Sequence, residues 1–164
     1  MTQIRGKGWT VFGTISNALI DNGYFEIHTS TNSECFMTYM RNLKAKIKPE
    51  CEHKRLVMCL DNHKAHKGFY QLELLNTFCE PFFLPPYSCE LNAQETCWSV
   101  LKQRCKKQFT RIQLELKSSR ELCIDIVKKE IEKIEPQVRS NLMRSHYEYI
   151  QELFDQVMKE YEEP

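Results

Sequence analysis

Long apolar runs are missing from this chain. No stretch approaches the roughly 18 consecutive apolar residues that a membrane-spanning helix requires. The start, Met1–Trp9, also lacks the apolar segment of a secretory signal peptide. These absences argue against a membrane partner and against secretion, and they predict an intracellular protein.

An excess of charge of either sign is missing too. The 164 residues carry 23 Lys and Arg against 22 Asp and Glu, for a formal net charge of +1. Global charge therefore does not indicate a nucleic-acid partner, and such a partner would need a local basic patch. The hydrophobic content of 41% and the charged content of 27% are those of a globular domain, which excludes general disorder.

Paired cysteines are a third absence, because none of the eight cysteines forms a CxxC motif. Most of them lie among apolar residues, which predicts reduced thiols that act as small core side chains. A zinc site is the weaker alternative, since the cysteines and histidines between 51 and 79 match no common zinc spacing. The residues in question are Cys51, His53, Cys59, His63, His66 and Cys79.

Periodicity and turn residues predict the element order β-β-α-β-α-β-α-α-α, which indicates an α/β domain with a helical tail. The continuous apolar run that ends at Asp61 predicts a strand buried on both faces. Asp21–Gly23 predicts a turn, Asn32 or Ser33 predicts the N-cap of the first helix, and Pro49 and Pro136 predict helix boundaries. The predicted strands are Gly8–Ser16, Tyr24–Ser30, Arg55–Asp61 and Glu80–Pro85, and the predicted helices cover about 32–48, 68–78, 93–109, 119–134 and 138–161.

Two carboxylates stand out by position. Asp61 directly follows a predicted buried strand, and functional residues in open α/β sheets gather at the carboxyl ends of strands. The alternative is that Asp61 only ends the strand and forms a turn. Glu95 opens a predicted helix, where Asn92 and Glu95 have the spacing of a capping box. A helix cap would explain Glu95 without any chemistry, so both interpretations of each acid stay open.

The helix that begins near Glu95 carries a basic ridge. Offsets of seven and eleven residues bring Lys102 and Lys106 onto the line of Glu95, and Lys107 and Arg111 lie close by. Metal-dependent phosphoryl transfer uses this combination, because carboxylates hold the cation while Lys and Arg hold phosphates. An ordinary solvated helix face is the alternative explanation.

Two segments, Leu56–Gly68 and Phe83–Gln103, together resemble the DDE/D transposases of the mariner superfamily and their bacterial insertion-sequence relatives. In that family, an Asp-Asn followed by a His closes one core strand, and a Leu-Pro-Pro-Tyr-Ser segment leads to a Glu three residues before a Trp. The family's prolines at positions 89 and 93 are replaced by Cys89 and Ala93. The matching residues are Asp61, Asn62, His66, Leu84, Pro85, Pro86, Tyr87, Ser88, Leu91, Asn92, Glu95 and Trp98.

The resemblance implies a ribonuclease-H-like mixed sheet flanked by helices. We expect a partial catalytic domain over 1–112 and a helical C-terminal tail over 113–164 that packs on it. The family's first catalytic Asp lies on a core strand upstream of the part that matches Gly8–Ser16, so we expect this first core strand to be missing. Asp21 lies in the predicted turn and is not expected to replace that Asp.

The resemblance also implies the chemistry. Asp61 and Glu95 would be catalytic residues that bind Mg²⁺ or Mn²⁺, and Lys102, Lys106, Lys107 and Arg111 would contact DNA at transposon ends. Family members cleave and transfer DNA strands by two-metal phosphoryl transfer. With two of the three acids, we expect a poor or inactive nuclease, located in the nucleus of a eukaryote or in the cytoplasm of a bacterium.

Two other hypotheses compete with a transposase remnant. The chain is a non-catalytic nucleic-acid-binding or protein-interaction module that keeps the fold, or it forms homo-oligomers through its tail. The homo-oligomer hypothesis depends on a helical stripe in the tail that would face a partner, although such a stripe more often packs within its own chain. The stripe consists of Leu142, Tyr149, Leu153, Phe154, Val157 and Tyr161.

Overall fold

The computed structural model of the protein describes residues 9–16, 23–51, 53–113, 120–134 and 136–162. The chain divides into two compact units. The N-terminal unit consists of Met1–Thr14 and Ala18–Asn92, and the C-terminal unit consists of Ile15–Asn17 and Ala93–Pro164. The domain boundary at residue 112, which the family resemblance implies, stays a prediction.

The N-terminal unit begins with two antiparallel strands, β1 (Thr10–Thr14) and β2 (Tyr24–His28). Thr10 pairs with His28 and Thr14 pairs with Tyr24, so Gly23 directly precedes the first paired residue of β2. Gly23 has a φ of 67°, the left-handed conformation that a glycine adopts at low cost, which agrees with the predicted turn. Asp21 lies outside the described residues.

Helix α1 (Ser33–Lys44) covers the next part of the chain. Its N-cap is Asn32, whose side chain accepts a hydrogen bond from the Cys35 amide at 2.8 Å, as its residue type predicts. The helix ends before the predicted position 48. The amides of Lys46 and Ile47 bond to carbonyls three residues back, which tightens the last turn, and the residue before Pro49 disfavours helical geometry.

The second pair of strands is parallel. Strand β3 (Val57–Leu60) pairs with β4 (Glu80–Phe83), and the connection between them contains a 3₁₀ turn (Lys64–His66) and helix α2 (Phe69–Asn76). The prediction that β3 is buried on both faces is wrong. Val57 is 52% exposed, and Cys59 on the same face is exposed as well, so only the other face packs against the core.

Both strand pairs contribute to one hydrophobic core in the N-terminal unit. Phe12 of β1 and Leu60 of β3 belong to the same buried cluster as the inner face of α1. Among the described residues, the four strands form two separate two-stranded sheets, one antiparallel and one parallel, and no described strand joins them. The cluster consists of Phe12, Phe36, Tyr39, Met40, Leu43, Leu60, Ala65 and Leu75.

The C-terminal unit is helical, as predicted. Helix α3 (Ala93–Gln113) packs against α4 (Arg120–Glu132) and α5 (Pro136–Glu162). Pro136 is the first residue of α5, where its missing N–H leaves no helical hydrogen bond unmade. No helix within the described part of the chain is long and apolar enough to cross a membrane. The unit buries Cys97, Leu101, Cys105, Ile126, Val127, Glu130 and Ile134.

The stripe predicted for the tail is divided in the structure. Leu142 and Leu153 are half-buried, whereas Tyr149 and Phe154 are exposed. The side chains of Val157 and Tyr161 lie outside the described residues. The tail therefore does not present these positions as one exposed face.

Candidate active site

Asp61 lies at the carboxyl end of β3, directly after the buried Leu60, as the sequence predicts. Its side chain is 54% exposed. One carboxylate oxygen, Oδ1, accepts a hydrogen bond from the His63 amide at 2.9 Å and lies 2.9 Å from Nδ1 of His66. The same Nδ1 lies 3.5 Å from the backbone carbonyl oxygen of Asp61. Within the described residues the other oxygen, Oδ2, has no partner. The carboxylate is thus anchored at one oxygen and open at the other.

His66 supports this carboxylate from the core side. Its side chain is 14% exposed, and its ring lies 4.4 Å from the ring of Phe36, measured between centroids. Burial lowers the pKa of His66, and this outweighs the Asp61 carboxylate and carbonyl, which raise it. Both Asp61 groups that Nδ1 faces, the carboxylate oxygen and the backbone carbonyl, are acceptors, so these contacts favour a proton on Nδ1.

Asn62 joins the ends of the two parallel strands. Its Nδ2 donates to the carbonyl of Leu84, and its Oδ1 accepts from Nζ of Lys67. The Lys67 ammonium also lies 5.3 Å from the centre of the Phe83 ring, a cation–π contact. Asn62 therefore fixes the Asp61 loop to the chain that leaves β4. The sequence analysis missed Lys67, because nothing distinguishes it from the other basic residues of the loop.

The segment Leu84–Ser88, here called the approach segment, leads from β4 toward α3. Its first residue is buried, and Pro85, Pro86 and Tyr87 are exposed. Tyr87 has a φ of 63° and its side chain is fully exposed, at 102%. A non-glycine residue in this left-handed conformation costs about 1–2 kcal/mol. The rigid approach was predicted from the prolines, but the strained tyrosine was not.

Glu95 lies in the first turn of α3, exposed and without a hydrogen bond or ion pair to any described residue. A capping box would require the Asn92 amide to donate to the Glu95 carboxylate. That amide instead donates to the Cys89 carbonyl at 3.0 Å, which closes a 3₁₀ turn. The structure therefore gives Glu95 no capping role. Asp61 belongs to the N-terminal unit and Glu95 to the C-terminal unit.

The basic residues of α3 have two different environments. Lys102, Lys106 and Lys107 are exposed, whereas Arg104 donates from Nη1 to the Lys133 carbonyl at 3.0 Å. Arg104 thus satisfies a free carbonyl beyond the end of α4. Arg111 lies within α3, and its side chain is outside the described residues. Trp98 is half-buried in α3.

The donor atoms limit the kind of metal site that the described residues can form. Within the described parts of the chain, no three His, Cys, Asp or Glu side chains lie close enough to hold one ion. Mg²⁺ usually keeps several waters and binds through one or two carboxylates. The open oxygen of Asp61 and the carboxylate of Glu95, each taken within its own unit, are donors of this kind.

A second acid–histidine pair lies on β2, and the sequence analysis did not identify it. Glu26 accepts from Tyr24 Oη and from Asn42 Nδ2 at 2.8 Å on one oxygen, and from His28 Nε2 at 2.7 Å on the other. Burial raises the pKa of Glu26, but the three hydrogen bonds and the charge of His28 outweigh it and lower the pKa. Burial and then Glu26 raise the pKa of Tyr24 to about 12.

Known proteins resemble this chain in sequence pattern and in fold. A family model described as "DDE superfamily endonuclease" matches residues 1–117. No curated protein matches the sequence. A chain in the cryo-EM structure of the simian T-cell lymphotropic virus intasome in complex with PP2A regulatory subunit B56 gamma is 11% identical. The TM-score is 0.52, over 77% of this chain and 47% of that one.

This chain therefore spans about half the length of that structural neighbour, and at such low identity the likeness concerns the fold alone. The predicted fold class is confirmed. It is an α/β, ribonuclease-H-like fold with a helical C-terminal part.

Proposed function

Because the chain belongs to the DDE superfamily endonuclease family, we propose that it is a transposase-like domain that acts on the DNA ends of a mobile element. The residues that carry the likeness to the mariner superfamily are Asp61, Asn62, His66 and the approach segment. The observation that best supports the proposal is the open carboxylate oxygen of Asp61 at the end of β3. Carboxyl ends of strands are where α/β folds bind ligands.

Asp61 and Glu95 are the proposed cation ligands. The support for Asp61 is that only one of its two carboxylate oxygens is engaged by described residues. The support for Glu95 is that its exposed carboxylate has no hydrogen bond or ion pair to a described residue. Bound Mg²⁺ or Mn²⁺ would polarise the scissile phosphate and lower the pKa of an attacking water or hydroxyl. Within this chain, Asp61 would present its free oxygen to the cation while Lys102 and Lys106 neutralise the phosphate backbone.

The chain alone is expected to cleave DNA poorly. Two-metal catalysis requires a carboxylate that bridges the two ions, and the matched motifs supply two acids rather than three. Without a third acid, Asp61 and Glu95 are therefore expected to bind one cation weakly. Measurable Mg²⁺-dependent strand cleavage by the purified chain, lost in Asp61→Ala, would contradict this expectation.

Titration with Mn²⁺, followed by electron paramagnetic resonance, tests the proposed ligands. We expect weak binding that both Asp61→Asn and Glu95→Gln abolish, because each substitution removes a negatively charged ligand. Glu73→Gln is the matched control, since Glu73 is an exposed acid on α2 outside the proposed site. Equal binding by the wild-type chain and both variants would refute the assignment.

A non-catalytic nucleic-acid-binding module is the second candidate function. The observation that favours it is the row of exposed lysines on α3, Lys102, Lys106 and Lys107. If these residues contact phosphates, charge reversal at Lys102 and Lys106 lowers DNA affinity. It also reduces the slope of log affinity against log salt concentration by about one unit for each lost contact. Lys128→Glu on the exposed side of α4 is the control. Salt-sensitive binding without any Mn²⁺ binding would favour this function over the first.

A further inference from the structure

The histidine beside Asp61 has an arrangement that its motif alone does not explain. The ring of His66 is held between the hydrophobic core and the carboxylate, with its Nδ1 directed at Oδ1 of Asp61. We propose that His66 is a positioning residue, which fixes Oδ1 so that Oδ2 faces outward to a divalent cation. The part of this inference that concerns the cation rests on the proposed function.

The two oxygens of Asp61 are chemically distinguished by their neighbours. Oδ1 accepts from the His63 amide and is in contact with His66 Nδ1, both at 2.9 Å. Oδ2 receives none from the described residues. The terminal torsion of an Asp side chain is broad, so one donor leaves the carboxylate plane free to turn. A second donor on the same oxygen restricts that rotation and selects the oxygen that a cation meets.

The core holds His66 in place from the other side. Its ring lies 4.4 Å from Phe36, and Phe36 lies 6.3 Å from Phe12 of β1, between ring centroids in both cases. Ala65, its neighbour in the 3₁₀ turn, is buried in the same cluster. The orientation of a surface carboxylate thus depends on packing within the core. His63 differs, because its exposed ring accepts from the Ala65 amide and does not reach Asp61.

Three substitutions separate positioning from packing. His66→Phe keeps the ring against Phe36 but removes the donor. His66→Asn carries its amide nitrogen on Cγ, the atom that bears Nδ1 in histidine, and can restore the bond. His66→Gln carries its amide nitrogen one carbon further, at the level of Nε2, and is expected to restore less. His53→Phe is the matched control, because His53 is exposed and outside the site.

The first measurement is the tautomer of His66, taken from two-bond ¹H–¹⁵N correlations of the imidazole rings. We expect the Nδ1–H tautomer in the wild-type chain and a smaller share of it in Asp61→Ala, because Nδ1 then keeps only the backbone carbonyl of residue 61, at 3.5 Å, as an acceptor. The resonance is assigned by its loss in His66→Phe. An Nε2–H tautomer in the wild-type chain overturns the proposal.

The second measurement is Mn²⁺ affinity by electron paramagnetic resonance. We expect His66→Phe and His66→Gln to weaken binding by about 10- to 100-fold, with His66→Asn closer to wild type. His53→Phe should bind as wild type does. Wild-type affinity in His66→Phe would overturn the inference while leaving the proposed function intact. Absence of Mn²⁺ binding in the wild-type chain would refute the proposed function itself. It would also refute the inference that Oδ2 of Asp61 faces a cation.

Discussion

Two acid–histidine pairs of the N-terminal unit are built from the same chemical groups and differ in their place in the fold and in the donors that their carboxylates receive. Glu26 and His28 lie on one strand, with side chains 19% and 16% exposed, and both oxygens of Glu26 have donors. Asp61 and His66 lie in a loop, and only one oxygen of Asp61 has donors. Both oxygens of the Glu26 carboxylate have donors, whereas Oδ2 of Asp61 has none among the described residues.

This difference separates a structural role from a functional one. A carboxylate whose oxygens are all paired stabilises the fold and has little capacity left for a ligand. A carboxylate with an open oxygen adds less to stability but can bind a cation. The count of unsatisfied oxygens therefore distinguishes the pairs better than residue type does.

Glu26→Ala should lower the free energy of unfolding by about 3 kcal/mol, because it leaves three hydrogen-bond donors without their charged acceptor. The donors come from Tyr24, Asn42 and His28. Urea denaturation followed by circular dichroism measures the change. Glu73→Ala, which removes an exposed acid of α2, should change it by less than about 0.5 kcal/mol. Equal effects of the two substitutions would break the comparison.

The stabilisation from Glu26 should disappear in acid. Its pKa is lower in the folded protein than its ordinary value of 4.5, so the fold gains stability above that pH and loses it as the pH falls through the folded pKa. The difference in unfolding free energy between wild type and Glu26→Gln should be greatest near neutral pH and shrink below about pH 4.5. Thermal unfolding at several pH values measures it. A difference that does not vary with pH would show that the Glu26 charge adds nothing.

Tyr87→Asn should raise stability by about 0.5 to 1 kcal/mol, because asparagine enters the left-handed conformation more readily than tyrosine does. Strain at Tyr87 would be a stability cost of the approach segment that the Glu26 network does not have. The control is Tyr70→Asn, an exposed tyrosine within α2, which should bring no gain. A loss of stability in Tyr87→Asn would mean that the tyrosine side chain itself is needed.

Asp61→Asn should have the smallest effect on stability, less than about 0.5 kcal/mol. The amide oxygen of asparagine can still accept from the His63 amide, and the side chain is largely exposed. The same substitution should remove Mn²⁺ binding. A loss of stability as large as that of Glu26→Ala would place Asp61 with the structural pair instead.

Local patterns predicted the elements well because their causes are local. The turn before Tyr24, the Asn32 cap and the position of Asp61 after β3 all depend on residues within a few positions of one another. The early end of α1 is a partial exception, because the tightening of its last turn involves hydrogen bonds that periodicity does not encode.

The candidate site was only partly predictable. Alternation along β2 puts Tyr24, Glu26 and His28 on one face, but nothing in the strand indicates that Asn42 of α1 completes the network. The contact of His66 with Phe36 joins residues that are distant in sequence. Burial of both faces of β3 was predicted from its apolar composition. The prediction was wrong because burial depends on which elements cover a face, and the face with Val57 and Cys59 is exposed. The Tyr87 conformation was not predictable from residue preferences, which disfavour it.

The two strand pairs also differ in how far apart in sequence their partners lie, and this bears on the order of folding. Strands β1 and β2 are joined by residues 15–23, whereas β3 and β4 are joined by residues 61–79, which must first form a 3₁₀ turn and α2. Short-range antiparallel pairing closes quickly, and parallel pairing through a crossover is slower. Pulsed hydrogen exchange during refolding should therefore protect the amides of β1 and β2 before those of β3 and β4. Glu26 of β2 would then receive its hydrogen-bond donors early in folding, and the contact between Asp61 and His66 would form later.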